Sequence, residues 1–307
     1  MTRYFERFRE EIARYAEGVH RLGAPGEAAA VAGFPDEYRD FLRSWNGADL
    51  FHEDVHIRAA AEAEREGDEL VFAEDASGST FAFAKDGIVE YESDTGLRWR
   101  EATTFERWLD GVMAQGALIY ERDGEFRDGA FAGEELAPQV ELKLARKKVR
   151  LDPDAPKPRF DLGMVLLRAG HQREAEKELS RAVELDPGAP WPWFELGKLR
   201  FGAGDVPGAA EALAHAAEGE HEHAGFFAAW AARVAQAAGD PRAQTFREQA
   251  QRRDPGLVGR QIAAAQAELD AGRRAEALEQ IELALAVSPR DMQALDLKRR
   301  LTPARVR

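Results

Sequence analysis

Apolar and polar residues follow two different patterns along this chain. In residues 1–120, apolar side chains repeat at helical spacing in three segments, which flank a stretch that alternates as β-strands do. Helical spacing predicts a helix over residues 3–17, a second from Pro35 to Asn46-Gly47, and a third that begins after Thr104. From residue 137 onward every apolar segment has helical spacing. The pattern predicts an α+β domain, with helices packed on an antiparallel sheet, followed by an all-α solenoid.

The alternating stretch contains three predicted strands, Glu69–Ala73, Thr80–Ala84 and Ile88–Glu92. Turn residues separate them, with Ser77-Gly78 after the first strand and Asp86-Gly87 after the second. Residues 123–138 are polar and contain three glycines, so they predict a linker. We accordingly place the domain boundary between residues 136 and 137, which gives domains at 1–136 and 137–307.

Four prolines in the second domain mark a regular period. They are separated by 34, 68 and 34 residues, and His221 fills the position that the longer gap skips; the prolines are Pro153, Pro187, Pro255 and Pro289. A 34-residue period of helix pairs that ends in proline is typical of tetratricopeptide repeats. We predict about four such repeats, with one flanking helix at 138–150 and another at 292–301.

Small residues recur where the two helices of each pair approach each other. One of these positions holds glycine or alanine in all four repeats, at Gly163, Gly197, Ala231 and Ala265. Two further positions hold alanine throughout. Because helices approach closely only where small side chains separate them, this pattern supports the predicted repeats.

In tetratricopeptide repeats, fixed positions of the first helix line a concave groove. Chaperone-binding members use lysine and asparagine there to hold a peptide carboxylate, which Phe160, Phe194, Ala228 and Ile262 of this chain cannot do. The groove instead predicts an apolar, aromatic surface for a protein partner, formed by Phe160, Met164, Trp191, Phe194, Lys198 and Phe201. The alternative is that these aromatic residues pack against the neighbouring repeat or the first domain.

The negative charge of the chain is concentrated in its first part. Residues 1–138 contain 15 lysine and arginine residues against 31 aspartate and glutamate residues, a net charge of −16, while the whole chain carries −14. Such a surface repels a nucleic-acid backbone and attracts a basic protein. We predict an acidic partner-binding face at the densest acidic run, in a connection between strands, formed by Glu62, Glu64, Glu66 and Asp68. The alternative is a solvated face that only maintains solubility.

Four segments of the first domain carry a family resemblance. They are FPDEYRDFL at 34–42, WNGADLF at 45–51, the predicted hairpins between Phe72 and Val89, and TFERWL at 104–109. The order of these segments resembles that of the SUKH superfamily, also known as the Smi/Knr family. The resemblance covers residues 1–120 and implies a non-enzymatic protein-binding fold. It also implies a role for many bacterial members as immunity proteins, which bind and neutralise toxin domains that are often nucleases.

One short motif offers a competing, enzymatic interpretation. The sequence HEDVH, from His52 to His56, matches the H-E-x-x-H motif of zinc proteases, which requires a helix so that both histidines face one metal. Here apolar Phe51, Val55 and Ile57 alternate with polar residues, as in a half-exposed strand or a loop. The chain also has no cysteine. We therefore predict no metal site, no cofactor and no catalytic residue.

The sequence as a whole predicts a non-catalytic protein–protein interaction protein. The leading hypothesis is an immunity protein whose SUKH-like domain neutralises a basic toxin domain. The alternatives are a scaffold or regulatory adaptor that binds through its tetratricopeptide repeats, and a zinc-dependent hydrolase that uses HEDVH. The charged N-terminus and the lack of a long apolar run predict a cytoplasmic protein that binds neither membranes nor nucleic acid.

Overall fold

The computed structural model describes residues 2–28, 30–219 and 221–302. The chain forms two compact units, one that ends at Asp186 and one that begins at Pro187. The first unit contains the α+β part together with the first predicted repeat, and the second unit contains the following repeats. The predicted domain boundary after residue 136 marks the start of the helical sequence pattern, whereas the compact units separate three helices later, after α6.

The first unit combines helices with short strands. Its helices are α1 (Arg3–Ile12), α2 (Asp36–Ser44), α3 (Phe105–Ile119), α4 (Pro138–Leu151), α5 (Pro156–Arg168) and α6 (Gln172–Leu185). Its strands are β1 (Arg21–Leu22), β2 (Ala48–Leu50), β3 (Val55–Ile57), β4 (Glu64–Glu66), β5 (Glu69–Asp75), β6 (Thr80–Ala84), β7 (Gly87–Tyr91), β8 (Arg98–Ala102), β9 (Phe131–Ala132) and β10 (Glu135–Leu136).

One antiparallel sheet forms the centre of this unit. Its strand order is β1-β2-β3-β5-β6-β7-β8, and β4 pairs with β5 outside this path. The three predicted strands correspond to β5, β6 and β7, which two hairpins connect. The sequence pattern does not predict β8 or the strands β1 to β4, which have only two or three residues each. The predicted fold class for this part, helices packed on an antiparallel sheet, is confirmed.

Aromatic side chains from α2, α3 and the sheet form the core of the α+β part. The ring of Tyr38 lies 5.6 Å from that of Phe72 and 5.8 Å from that of Phe105, measured between ring centres. Helix α3 begins at the predicted cap, where the Thr104 hydroxyl accepts a hydrogen bond from the Arg107 N–H at 3.2 Å. Helix α1 is shorter than predicted, since it ends at Ile12 and not at residue 17.

Three consecutive non-glycine residues adopt left-handed backbone angles between β2 and β3. The φ values of Phe51, His52 and Glu53 are 52°, 56° and 74°, in a region that costs about 1–2 kcal/mol for each residue with a Cβ. Packing holds the turn in place, because the buried Phe51 ring stacks on Tyr120 at 5.5 Å and lies directly against Gly116 of α3. The segment around HEDVH, predicted to be a half-exposed strand or a loop, is therefore a turn at residues 51–53 that is followed by β3.

The predicted linker at 123–138 has a structure of its own. Strands β9 and β10 pair as a short hairpin, and Phe126 pairs with Tyr120 through a β-bridge. Ala130 and Ala137 are buried on either side of this hairpin, where the Ala137 N–H donates to the Ala130 carbonyl at 2.9 Å. The segment is therefore a packed part of the first unit and not a free connection.

The second unit is helical throughout its described residues. It contains α7 (Pro190–Gly202), α8 (Val206–Ala216), α9 (Ala224–Ala238), α10 (Ala243–Arg253), α11 (Leu257–Asp270), α12 (Arg274–Val287) and α13 (Met292–Leu301). With α5 and α6 of the first unit, these helices give the four predicted pairs. His221 lies in the loop between α8 and α9, at the position where the other repeats have proline. The predicted all-α solenoid is confirmed.

Glycine allows the paired helices to approach closely at the predicted positions. A Cβ at Gly197 of α7 would lie 2.6 Å from Cγ of Leu213 in α8. A Cβ at Gly163 of α5 would lie 2.8 Å from Cγ of Leu179 in α6. Real Cβ atoms do not approach other atoms so closely, so the small residues are required where the sequence predicts them.

Helix α9 lies at the centre of the second unit. Most of its residues are buried, as expected for a helix that has neighbours on every side. These neighbours include α8, α10 and α12, the second helix of the last pair. Arg233 of α9 forms an ion pair with Glu282 of α12 at 2.7 Å. Arg247 and Gln251 of α10 donate hydrogen bonds to the last carbonyls of α12, both at 2.8 Å. The last pair therefore joins the array through α12.

Candidate functional site

Strand β8 of the sheet packs against α5, the first helix of the first repeat. The Trp99 ring stacks on the Phe160 ring, with 4.8 Å between ring centres and an angle of 20° between the planes. The Lys157 ammonium lies 5.8 Å from the centre of the Trp99 ring. Lys157 and Phe160 occupy groove positions of this repeat, and Met164, one turn further along, is half-buried. The sheet thus covers the start of the groove in the first repeat.

A set of carboxylates surrounds Lys157 at this contact. Its Nζ lies 3.2 Å from Asp161, 3.6 Å from Glu90 and 3.7 Å from Glu92. Burial alone would lower the pKa of Lys157, but these carboxylates raise it above its ordinary value. Burial also raises the pKa of Glu90 to about 7, although the Lys157 charge opposes the change. The first repeat is therefore held to the sheet by the buried ammonium group of Lys157, which has more than one acidic partner.

Replacing Glu90 by glutamine is expected to change how stability depends on pH. The folded chain holds the Glu90 proton up to about pH 7, whereas the ordinary pKa is 4.5. The charged carboxylate therefore weakens folding increasingly as pH rises through this interval. Because Glu90→Gln lacks that charge, its stability relative to the wild type should rise by about 1–3 kcal/mol between pH 4 and pH 8. Urea unfolding at both pH values measures the change.

Glu92→Gln is the matched control for this experiment. Glu92 lies beside the same Lys157 ammonium, but its side chain is 27% exposed, against 13% for Glu90. Its substitution should therefore alter the pH dependence much less. Equal pH dependence in the two variants would contradict the role given to burial of Glu90.

The aromatic residues of the second repeat form a cluster with the third repeat. Trp191 and Phe194 both contact Phe227 of α9, at 5.0 Å and 4.5 Å between ring centres. Lys198 lies over the Phe194 ring at 5.3 Å, and the Arg233 guanidinium lies over Phe201 at 5.5 Å. Phe194 is buried, whereas the other predicted groove residues of this repeat are half-buried. The structure thus places these residues in packing between repeats, and their role in partner binding stays a prediction.

The corresponding groove positions of the third repeat are filled. They hold Ala228, Ala232 and Ala235 of α9, which are completely buried. Leu283, Ala286 and Val287 of α12 belong to the same buried cluster as these alanines. Small side chains on α9 leave room for this packing. The repeats therefore present less open concave surface than the sequence pattern alone predicts.

The predicted acidic face lies on a hairpin that contains residues 62–69, here called the acidic hairpin. Strand β4 pairs with the start of β5 through the register Glu64–Val71 and Glu66–Glu69, and Gly67 makes the turn with a φ of 61°. Two of the four predicted acidic residues are therefore in a strand and not in a connection between strands. All four, Glu62, Glu64, Glu66 and Asp68, are exposed.

Two of these acidic residues have partners within the domain. Glu62 accepts a hydrogen bond from the Ala59 N–H at 2.8 Å, and Glu64 lies 3.3 Å from the Arg58 guanidinium. Within the described residues, the side chains of Glu66 and Asp68 form no hydrogen bond or ion pair. Charges on an edge strand also prevent unwanted pairing with other chains, which is the structural alternative to a binding role.

The two histidines of the HEDVH motif have different surroundings. His52 lies in the left-handed turn, 5.9 Å from the Tyr120 ring. His56 lies in β3, where its Nδ1 contacts Asp49 at 2.6 Å and its Nε2 lies 3.5 Å from Glu62. The described part of the chain contains no group of three or more His, Cys, Asp or Glu side chains that could hold a metal. The motif lacks the helix on which zinc-protease chemistry depends.

The residues through which the sheet contacts the first repeat are not among the predicted site residues. Trp99 and Glu101 are both buried, and they share one face of β8 because side chains two positions apart point the same way in a strand. The alternation of Trp99 and Glu101 with the arginines at 98 and 100 is a signal from which this strand, β8, could have been identified, although it was not predicted. It does not reveal that the buried face meets a helix some 60 residues further along the chain.

Residues 156–199 match the family model of the tetratricopeptide repeat, which confirms the predicted repeat for that segment. Among solved structures, the chain is similar to YrrB, described as a TPR protein with an unusual peptide-binding site. The identity is 20% over 53% of this chain and 84% of that one, and the TM-score is 0.38. MamA is similar at 20% identity, over 50% of this chain and 90% of that one, with a TM-score of 0.37. Pseudomonas aeruginosa pilF is similar at 16% identity, over 53% and 74%, with a TM-score of 0.38. No curated protein matches the chain significantly.

Across the part of the chain that the structure describes, no helix combines the length and the apolar character needed to traverse a bilayer.

Proposed function

We propose that this protein is a non-catalytic, cytoplasmic binding protein whose acidic hairpin engages another protein. The proposal rests on a difference in exposure between the repeats and the acidic hairpin. Trp99 covers the start of the groove in the first repeat and α12 packs on α9, whereas the acidic hairpin is exposed and has two carboxylates that pair with none of the described residues. A partner that is steered by charge would meet this hairpin first.

The chemistry of this surface favours a basic partner. The net charge of −16 on residues 1–138 attracts a positively charged protein and speeds its association. A nuclease toxin domain has such a surface, because it must bind a phosphate backbone. Together with the resemblance to the SUKH superfamily, this supports an immunity function in which the first domain covers the active cleft of a toxin.

A scaffold or adaptor function of the repeats is the second candidate. It is favoured by the half-buried Trp191, Lys198 and Phe201, which lie together on the second unit. Large aromatic residues with part of their surface exposed are common anchors for an apolar peptide. In this alternative the acidic hairpin contributes only to solubility.

Reversing the charge of the acidic hairpin is expected to abolish partner capture. The full chain would be used as bait in extracts of its native cell, beside a variant with lysine at positions 62, 64, 66 and 68. A basic protein should be retained by the wild type and lost from the variant, and its association rate should fall as salt screens the charges. Mass spectrometry identifies the partner, and stopped-flow mixing at several salt concentrations measures the rate.

A second variant distinguishes the effect of the charge on the acidic hairpin from the effect of the net charge of the chain. Lysine in place of Glu10, Glu17, Glu125 and Asp128 changes the net charge by the same amount at exposed positions outside the hairpin. This control should retain the partner. Capture of an acidic partner that tolerates the hairpin variant, and that binds residues 187–307, would favour the scaffold function and refute the immunity function.

A further inference from the structure

A cavity of about 600 Å³ lies in the first unit, beneath the sheet and beside α3. This volume is in the range of cavities that hold small molecules. Its apolar wall includes Phe81, Trp108, Val112, Ile119 and Tyr120. The ring centres of Phe81 and Trp108 are 5.3 Å apart, so two aromatic side chains lie together in this wall.

The polar wall of the cavity is mainly acidic. Five carboxylates line it, against two lysines; the carboxylates belong to Asp54, Asp75, Glu90, Glu101 and Glu134. Both lysines already have acidic partners: Lys148 donates to Glu101 at 3.0 Å, and Lys157 lies 3.2 Å from Asp161, which is outside the cavity wall. The cavity therefore favours a cation over an anion.

Two of the carboxylates have hydrogen-bonding capacity that the described residues do not use. Glu101 is only 8% exposed, and its Oε2 has no hydrogen-bond partner in the described part of the chain. Glu90 lies 3.6 Å from the nearest ammonium, which is too long for a good hydrogen bond. Because a buried carboxylate oxygen without a donor is costly, these two groups indicate a ligand that supplies N–H donors.

Exposed aromatic residues lie at the edge of the same cavity. The side chains of Phe126 and Phe131 are 59% and 37% exposed, and their rings are 5.1 Å apart. Phe126 also contacts Tyr120 of the cavity wall at 5.1 Å. Large exposed apolar side chains beside a cavity are typical of a surface that covers a ligand. Aromatic faces also stabilise a bound cation directly.

We propose that this cavity binds an organic cation, in which an ammonium or guanidinium group hydrogen-bonds to Glu101 and Glu90 while its apolar body packs on Phe81 and Trp108. The cation can be a free amine or the side chain of a lysine or arginine in a bound polypeptide. The site is separate from the acidic hairpin, whose four predicted residues do not line the cavity. The proposal therefore does not depend on the proposed function.

Binding of 2-phenylethylammonium to the full chain tests the proposal, with 2-phenylethanol as a neutral ligand of nearly the same shape. Calorimetry or ligand-detected NMR should show binding of the amine, and binding of the alcohol at least about tenfold weaker. Glu101→Gln should weaken amine binding by about tenfold or more, whereas Glu92→Gln, outside the cavity wall, should not. Equal binding of the amine and the alcohol would overturn the proposal, as would a failure of both the amine and the arginine peptide described below to bind.

Glu101→Gln also disturbs the contact with Lys148, so weaker binding in this variant could reflect a loss of fold. A second variant tests the cavity without changing that contact. Gln115→Trp places a large side chain in the cavity from α3 without removing a carboxylate, so it should block the amine while circular dichroism stays unchanged. Unchanged binding in this folded variant would refute the site.

A blocked peptide distinguishes a small-molecule cation from the side chain of a polypeptide. Binding of acetyl-Gly-Arg-Gly-amide is compared with binding of its uncharged citrulline analogue. Binding of the arginine peptide alone supports entry of a polypeptide side chain, and binding of the free amine without the peptide supports a small-molecule ligand. Equal binding of the arginine and citrulline peptides would contradict recognition of the cation. The variant with lysine at positions 62, 64, 66 and 68 should bind the amine normally, so failure of the proposed function leaves this result intact.

Discussion

Replacing Gly116 with alanine is expected to destabilise the first unit by about 3 kcal/mol. A Cβ at Gly116 would overlap three ring carbons of Phe51. That ring cannot move aside, because it stacks on Tyr120 and has Tyr15 and His20 against it at 5.5 Å and 4.5 Å. Its backbone is already in the left-handed region, so any shift must also be accommodated by the strained turn. Urea unfolding monitored by tryptophan fluorescence measures the loss.

Gly111→Ala is the matched control on the same helix. The nearest atom to a Cβ at Gly111 is Cε of Lys148, at 4.0 Å, which is an ordinary contact. Because alanine favours helix more than glycine does, this variant should be as stable as the wild type or gain up to about 1 kcal/mol. Similar losses at positions 111 and 116 would show that α3 does not lie against the Phe51 turn as described.

Replacing Lys157 with methionine is expected to destabilise the first unit by about 3 kcal/mol near neutral pH. The substitution keeps an unbranched apolar side chain beside Trp99 but removes the charge that Glu90, Glu92 and Asp161 share. Three carboxylates would then lose the cation that lies within 4 Å of each of them. The loss should be smaller at acidic pH, because the carboxylates can take up protons there. Urea unfolding at acidic and neutral pH measures both values.

Two further variants make this experiment specific. Lys147→Met removes a lysine from the exposed face of α4 and should change stability by no more than about 0.5 kcal/mol. The double variant Lys157→Met with Asp161→Asn removes the carboxylate that lies nearest to the lost ammonium and should recover part of the loss. If the double variant were no more stable than Lys157→Met alone, the buried ion pair would not be the origin of the effect.

The helical repeats could be predicted from sequence because the residues that define each helix pair lie within that repeat. Proline at the end of a repeat and small residues such as Gly163 and Gly197 identify a helix pair without reference to distant parts of the chain. Three of the four strands with five or more residues, β5, β6 and β7, were predictable for the same reason. Strands of two or three residues show no period, so β1 to β4 could not be predicted.

The contacts between elements could not be predicted in the same way. The sequence identifies Phe160 as a groove residue, but the identity of Trp99 as its partner depends on how the sheet and α5 come together. Likewise, the periodicity that defines α11 and α12 does not determine which of the two packs on α9. The left-handed turn at residues 51–53 was missed because it contains neither the glycine nor the asparagine that usually marks such a conformation.

The packing of α12 on α9 also affects how the second unit unfolds. In a simple linear array each repeat contacts only its neighbours in order, so the last repeat can fray while the preceding one stays folded. Here α12 covers α9, and Arg247 and Gln251 of α10 hold the end of α12. Loosening the last pair therefore exposes the most apolar helix of the preceding one. The third and fourth repeats consequently form one cooperative unfolding unit, and the array cannot be shortened by its last repeat without loss of the one before it.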